Sequence, residues 1–129
     1  MEAGYKQLDV WKKSMQLALD IYETTKGFPD EEKYGLVSQM RRSSVSIPSN
    51  IAEGYRRMLP RDYGKFVRIA YGSGAELETQ IELSKGLGFI KGESKIDQIL
   101  SDVMSMLNGL RRSLAESPDV RRTTSGTKV

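Results

Sequence analysis

The chain has 129 residues, 20 Lys or Arg against 17 Asp or Glu, a net charge of +3 and 38% apolar side chains, which suits a single domain. It holds no cysteine and no histidine, which removes disulfides, thiolate nucleophiles, the usual zinc sites and imidazole acid–base chemistry together. No run approaches the ~18 apolar residues of a membrane span, and the opening MEAGYKQLDVWKKS lacks the apolar stretch of a secretory signal, so a cytoplasmic location is expected.

Spacing predicts a first helix from Leu8 to Thr25. Leu8, Trp11, Met15, Ala18 and Tyr22 step by threes and fours, with Leu19 beside them, and read as its core seam. Leu17 and Ile21 lie off that seam, as a subunit contact or as the edge of a wide core face. Gly27-Phe28-Pro29-Asp30 then punctuates the chain, and Asp30, Glu31 and Glu32 suit the positive N-terminal end of the next helix.

The stretch Tyr34–Arg57 organises the rest. Leu36, Met40, Ser43, Ile47, Asn50, Ile51 and Gly54 share one face, widened by Val37 and Ser44. Pro48 has no amide hydrogen and crowds the preceding turn, so the stretch is one helix kinked there or two helices, the second beginning at Pro48. The apolar steps stay in phase through Pro48, which favours one helix. Pro60 then starts a third helix, Arg61–Gly86, with Leu59 a poor cap. Its inner face reads Tyr63, Phe66, Ile69 or Ala70, Ser73, Leu77, Gln80 or Ile81, and Ser84. Gly72 and Gly74 cost about 1 kcal/mol each in mid-helix, which points to a close approach against Ser43, Ser44 and Ser46. The fourth helix, Glu93–Leu114, has a clean seam of Ile96, Ile99, Leu100, Val103, Leu107, Leu110 and Leu114. Residues 117–129 are polar, weakly basic and aperiodic, a disordered tail behind a four-helix domain spanning 1–116. The fold class expected is all-α, an antiparallel up-down-up-down four-helix bundle.

Charge is unevenly spread. Residues 33–72 hold eight Lys or Arg and two acids, a net +6, whereas residues 1–32 hold four and seven. Arg41, Arg42, Arg56, Arg57, Arg61, Lys65 and Arg68 make up most of this excess, with Tyr55 and Tyr63 among them. Arginine grips phosphate in bidentate fashion and aromatic rings stack on unpaired bases, so the set reads as a nucleic-acid patch or as a solvated, salt-bridged surface. Of these, Arg41, Arg56, Arg57, Arg61, Lys65 and Arg68 are the candidate contacts, directed at phosphates. No Asn or Gln stands beside an Arg on that surface to read bases.

A second polar set, Arg42, Asn50, Glu53, Glu76 and Gln80, falls on expected inner faces. If the second and third helices fold back on each other, facing residues have numbers totalling about 118. Arg42 then meets Glu76, and Glu53 meets Lys65 with Arg68 a turn away, as register-setting pairs rather than catalytic carboxylates. Glu78 and Glu82 share a face, but carboxylate metal sites in bundles also use histidine. No catalytic residue, metal or cofactor is expected.

The strings Tyr34-Gly35-Leu36, Ser38-Gln39, Arg41-Arg42 and Ser46-Ile47-Pro48-Ser49-Asn50-Ile51-Ala52-Glu53-Gly54 carry a resemblance, as do Gly72-Ser73 and Glu76-Leu77-Glu78-Thr79-Gln80. From about Tyr5 to Leu114 the chain resembles the bacterial four-helix-bundle 23S rRNA intervening-sequence proteins, departing from their pattern at Arg56, often Gly, and Leu59, often Ser. The family name is an address within 23S rRNA insertions, not an activity. The resemblance implies a cyclic homopentamer and a similarity to the accessory protein of diversity-generating retroelements, which binds nucleic acid and a reverse transcriptase. The function expected is a non-enzymatic, oligomeric nucleic-acid-binding adaptor, with RNA or DNA as partner. The alternative is a protein-interaction scaffold whose basic patch meets an acidic partner.

Overall fold

The computed structural model describes residues 4–117; all but the first residue of the predicted tail lies outside the described residues. Those residues form four long helices and two short 3-10 turns, Tyr5–Gln7 and Asp30–Glu32, with no strand among them. The helices are α1 (Asp9–Thr25), α2 (Leu36–Arg56), α3 (Pro60–Gly86) and α4 (Lys95–Ala115). The acids Asp30–Glu32 form a turn of their own ahead of α2, although Glu32 still reaches forward to accept from the Leu36 amide at 3.3 Å.

Local chemistry sets the ends. The α3 stop is a Schellman arrangement: Phe89 N–H donates to the Ser84 carbonyl at 2.8 Å and Gly88 N–H to Lys85 at 3.0 Å. Gly88 sits at φ 82, where a side chain would be strained. The apolar follow-on is Phe89, whose ring lies 5.2 Å from that of Phe28. At the α4 start, the Asp97 carboxylate accepts from Ser94 N–H at 2.8 Å and from its hydroxyl at 3.3 Å. The same carboxylate takes the Lys85 ammonium at 2.9 Å, tying α3 to α4. Burial pushes the Asp97 carboxyl up, but Lys85 and Ser94 outweigh it and hold it below the usual carboxylate range. The α3 start has no side-chain cap: Leu59 is extended and Pro60 occupies the first turn.

α2 runs unbroken through buried Pro48, so the one-helix reading holds and the two-helix alternative falls. Apolar side chains at three- and four-residue steps continue across the proline, and burying Ile47 and Ile51 on one line keeps the helix together. α2 packs on α1 and α3, and α4 packs on α1 and α3, around one core. Leu17, Ile21, Met40, Ile47, Ile51, Val67, Leu77, Ile81, Val103 and Leu107 have essentially no exposed surface. Buried hydroxyls bond into their own helix, Ser14 to the Trp11 carbonyl, Ser44 to Arg41 and Ser84 to Gln80, so they carry no unmet polarity into the core.

Three expectations are corrected. In α1 the core line is shifted: Val10, Ser14, Leu17, Ala18 and Ile21 are buried and Leu8 and Trp11 pack against the core, while Met15, Leu19 and Tyr22 are 37%, 60% and 42% exposed, so Leu17 and Ile21 belong to a wide core face and the expected seam holds only in part. Both lines have helical period, and the neighbours decide between them. On one flank Lys13 and Asp20 reach Asp102 and Lys95 of α4. On the other, Thr25 meets Arg41 of α2, so the line between those flanks turns inward. In α3, Val67, not named among the inner positions, is fully buried beside half-buried Phe66, and of Ile69 and Ala70 it is Ala70 that turns inward. The mid-helix glycines also do not meet the α2 serines. Gly74 lies against the Met104 thioether of α4, and Gly72 faces open space. The close approach of α2 to α3 occurs at Gly54, where a Cβ would stand 2.8 Å from Phe66 Cβ and 3.2 Å from the Tyr63 carbonyl.

Candidate nucleic-acid interface

Between α2 and α3 the chain reverses over three residues, Arg57, Met58 and Leu59. Met58 takes the reversal in the left-handed region at φ 73, unusual for a residue with a side chain. The turn is tight because Gly54 lets the Tyr63 and Phe66 side chains close directly onto α2. Tyr63 packs edge-on against Tyr55 at 5.9 Å. Burial, with Tyr55 second, raises the Tyr63 phenol above its ordinary pKa, so it stays neutral through the physiological range.

Arginines crowd this corner, each lying against something. Arg56 stacks over the Tyr5 ring at 5.3 Å. Arg57 lies over Phe66 at 5.0 Å and pairs with Glu53 at 2.9 Å. Both remain exposed, so each guanidinium is steered by an aromatic surface while part of it faces water. Glu53 therefore serves Arg57, just past the end of its own helix, where Lys65 was expected. Arg61, Lys65 and Arg68 follow at steps of four and three along α3, all exposed, on the face opposite buried Ala70, Leu77 and Ile81. No salt bridge joins Lys65 or Arg68 to an acid among the described residues.

Arg41 is not part of this corner. It stands 15 residues before Arg56, about 22 Å along the helix. Its Nε donates to Thr25 Oγ1 at 2.9 Å, its Nη2 to the Tyr22 carbonyl at 3.2 Å, and its guanidinium covers the Tyr22 ring at 4.5 Å. It closes the C-terminal end of α1, where carbonyls lack partners and positive charge is favoured.

The second polar set is also rearranged. Arg42 and Glu76 are both exposed and face the same α2–α3 groove, but no ion pair joins them. The predicted register is right to within a turn: the Ser46 and Ser73 hydroxyls meet at 2.8 Å, and Gly54 meets Tyr63 and Phe66. Its bond is thus between two serines. Asn50 supports it by donating to the Ser46 carbonyl at 2.8 Å and hydroxyl at 3.0 Å. Gln80 lines the same groove, with its Oε1 buried and unpartnered. No group of three or more metal-ligating side chains occurs among the described residues, and none of the helices is long and apolar enough to cross a membrane.

The profile of the 23S rRNA-intervening sequence protein family matches residues 6–110. The chain belongs to that family. The match takes in all of α2 and α3 and the corner between them, so this basic corner is part of the 23S rRNA-intervening sequence protein domain itself. No curated protein matches the chain.

Sequence reasoning missed the anchoring role of Arg41 and the open groove of α1 and α2. That groove, about 470 Å³, is lined by Tyr5, Trp11, Met15, Leu19, Tyr22 and Val45 among others. The signal for it was present in the line Trp11, Met15, Ala18 and Tyr22 with Leu19, read from the sequence as the core seam.

Proposed function

We propose that the protein is a non-enzymatic, oligomeric nucleic-acid-binding adaptor that acts in the cytoplasm and holds its partner mainly by phosphates. Arg56, Arg57 and Arg61 at the corner, with Lys65 and Arg68 beyond, are the contacts; Arg41 is set aside because its guanidinium is engaged at the end of α1. The observation that carries the reading is the exposed line Arg61, Lys65 and Arg68 on α3, continuous with exposed Arg56 and Arg57 and drawn from a segment of net +6. Guanidinium and ammonium groups spaced along one face suit a chain of phosphates.

In this reading the helices form an antiparallel up-down-up-down bundle, and bundles assemble into a cyclic ring, five subunits by family resemblance. The apolar groove of α1 and α2 supports self-association, since Leu19, Tyr22 and Val45 are 60%, 42% and 41% exposed side by side. A ring repeats the basic corner and multiplies its phosphate contacts. The same groove also favours a second reading, a protein-interaction scaffold without a nucleic-acid role.

Binding of labelled single-stranded and duplex RNA and DNA, followed across a salt series, tests the proposal. Affinity should fall steeply with salt, with a log–log slope of about −0.7 to −0.9 per phosphate contact. The triple change Arg56→Gln, Arg57→Gln, Arg61→Gln should weaken binding to every sequence and flatten that slope. Folded, oligomeric protein that binds none of the four at low salt would remove the nucleic-acid reading and leave the scaffold.

A further inference from the structure

The groove between α2 and α3 differs chemically from the rest of the surface. It encloses about 440 Å³, within the range of ligand pockets, and polar side chains line it throughout. From α2 come Gln39, Arg42 and Ser46; from α3 come Ser73, Glu76 and Gln80. The two serines bond to each other and form the floor. The four longer side chains make no hydrogen bond or ion pair with protein, and the Gln80 Oε1 is buried without a donor. In the α3–α4 groove, about 400 Å³, part of the polar lining is already engaged. There Asp97 is bonded to Lys85 and Ser94, and Asn108 accepts from Arg111. Asp97, Glu82 and Asn108 are thus tied to protein donors, whereas none of the four longer side chains of the α2–α3 groove is.

We infer that the α2–α3 groove binds an unpaired guanine base of the nucleic acid held at the basic corner. This rests on the proposed nucleic-acid role and adds base selection to it. Two amides, a carboxylate and a guanidinium are the side chains that read base edges. On α2, Gln39 and Arg42 stand three residues apart on one face, and folding sets Glu76 and Gln80 of α3 across the same groove from them. Guanine is the base that offers adjacent N1–H and N2–H donors to a single carboxylate, here Glu76, together with an O6 and N7 acceptor pair for a guanidinium, here Arg42. The base must be unpaired, because its pairing edge is the one Glu76 takes. Rotation of the Gln80 amide would let its orphaned oxygen accept a further base or sugar donor. Glu76 stands eight residues beyond Arg68 on α3, about 12 Å, so a single strand lying on the basic line reaches the groove.

The test is fluorescence anisotropy with a labelled uridine oligomer carrying one central guanine, adenine, cytosine or inosine. The guanine oligomer should bind about tenfold tighter than the all-uridine one. Inosine, which lacks the N2 amino group, should lose most of that preference. Glu76→Gln and Arg42→Gln should each bring the guanine-to-uridine ratio close to one; both side chains are exposed, and helical circular dichroism verifies the fold. The triple corner variant should weaken all oligomers while keeping the ratio. Equal affinity for all bases, a preference for adenine or cytosine, or a guanine preference that survives Glu76→Gln would overturn the inference and leave the phosphate-binding role standing. Absence of binding to every oligomer at low salt would overturn both.

Discussion

The two sides of α2 are packed by opposite means. Toward α3 it presents Ser43, Ser46, Asn50 and Gly54, and the helices close until a methyl group at Gly54 would collide with Tyr63 and Phe66. Toward α1 the neighbours are larger, Trp11, Met15 and Tyr22 against Val45, Pro48 and Ala52, and an apolar groove stays open above the core. Adjacent arginines show the same division. Arg41 turns to α1 and bonds to Thr25 and Tyr22, whereas Arg42 stays exposed at the mouth of the polar groove. Side-chain size sets how near two helices come.

The largest test of this contrast lies in the two lines of α1. Leu17 has no exposed surface and Leu19 is 60% exposed. Leu17→Ala should cost about 2–5 kcal/mol, read as a shift of the urea midpoint. Leu19→Ser should move the stability of the isolated chain by about 0.5 kcal/mol or less. It should instead shift the proposed assembly toward monomer in light scattering across a dilution series. Equal destabilisation by the two changes would contradict the placing of Leu17 in the core and Leu19 at the surface.

A smaller effect separates the close contact from a glycine outside it. Gly54→Ala forces a methyl group into the Tyr63 carbonyl and the Phe66 side chain and should cost about 1–3 kcal/mol. Gly72 meets nothing within 4 Å, so Gly72→Ala should raise stability by up to about 1 kcal/mol through helix propensity alone. Thermal melts of the pair should move in opposite directions.

The smallest effect concerns the arginine pair. Arg41→Gln removes two hydrogen bonds at the end of α1 and should cost about 1–2 kcal/mol, below the full value of charged bonds because the site is partly open to water. Arg42→Gln should stay within about 0.5 kcal/mol of the parent in the same urea titration. The reverse order would restore the sequence-based reading, in which Arg42 was structural and Arg41 free for a ligand.

Much of the architecture was legible in the chain. Each helix begins and ends within two residues of its predicted limits because the signals are local, with Pro60 at a start and the Gly86–Phe89 turn at a stop. The register of α2 on α3 was also legible, because a three-residue reversal leaves little freedom in which residues face each other. At the candidate site the positions of Arg56, Arg57 and Arg61 followed from the same short corner.

Facing was a different matter. A 17-residue helix with apolar residues on two adjacent lines has two cores open to it, and its own period does not distinguish them. The contacts of Lys13 and Asp20 with α4 and of Thr25 with α2 made that choice. The same holds for Arg41 against Arg42, for Gln39 and Gln80 meeting across one groove, and for Gly54 rather than Gly72 as the point of closest approach. The sequence by itself determined four helices, their ends and the pairing of the central two, because caps, breakers and short reversals act within a few residues. Only the tertiary structure decided which face each helix turns inward and which polar groups are left without partners, because those depend on side chains from different helices competing for the same space.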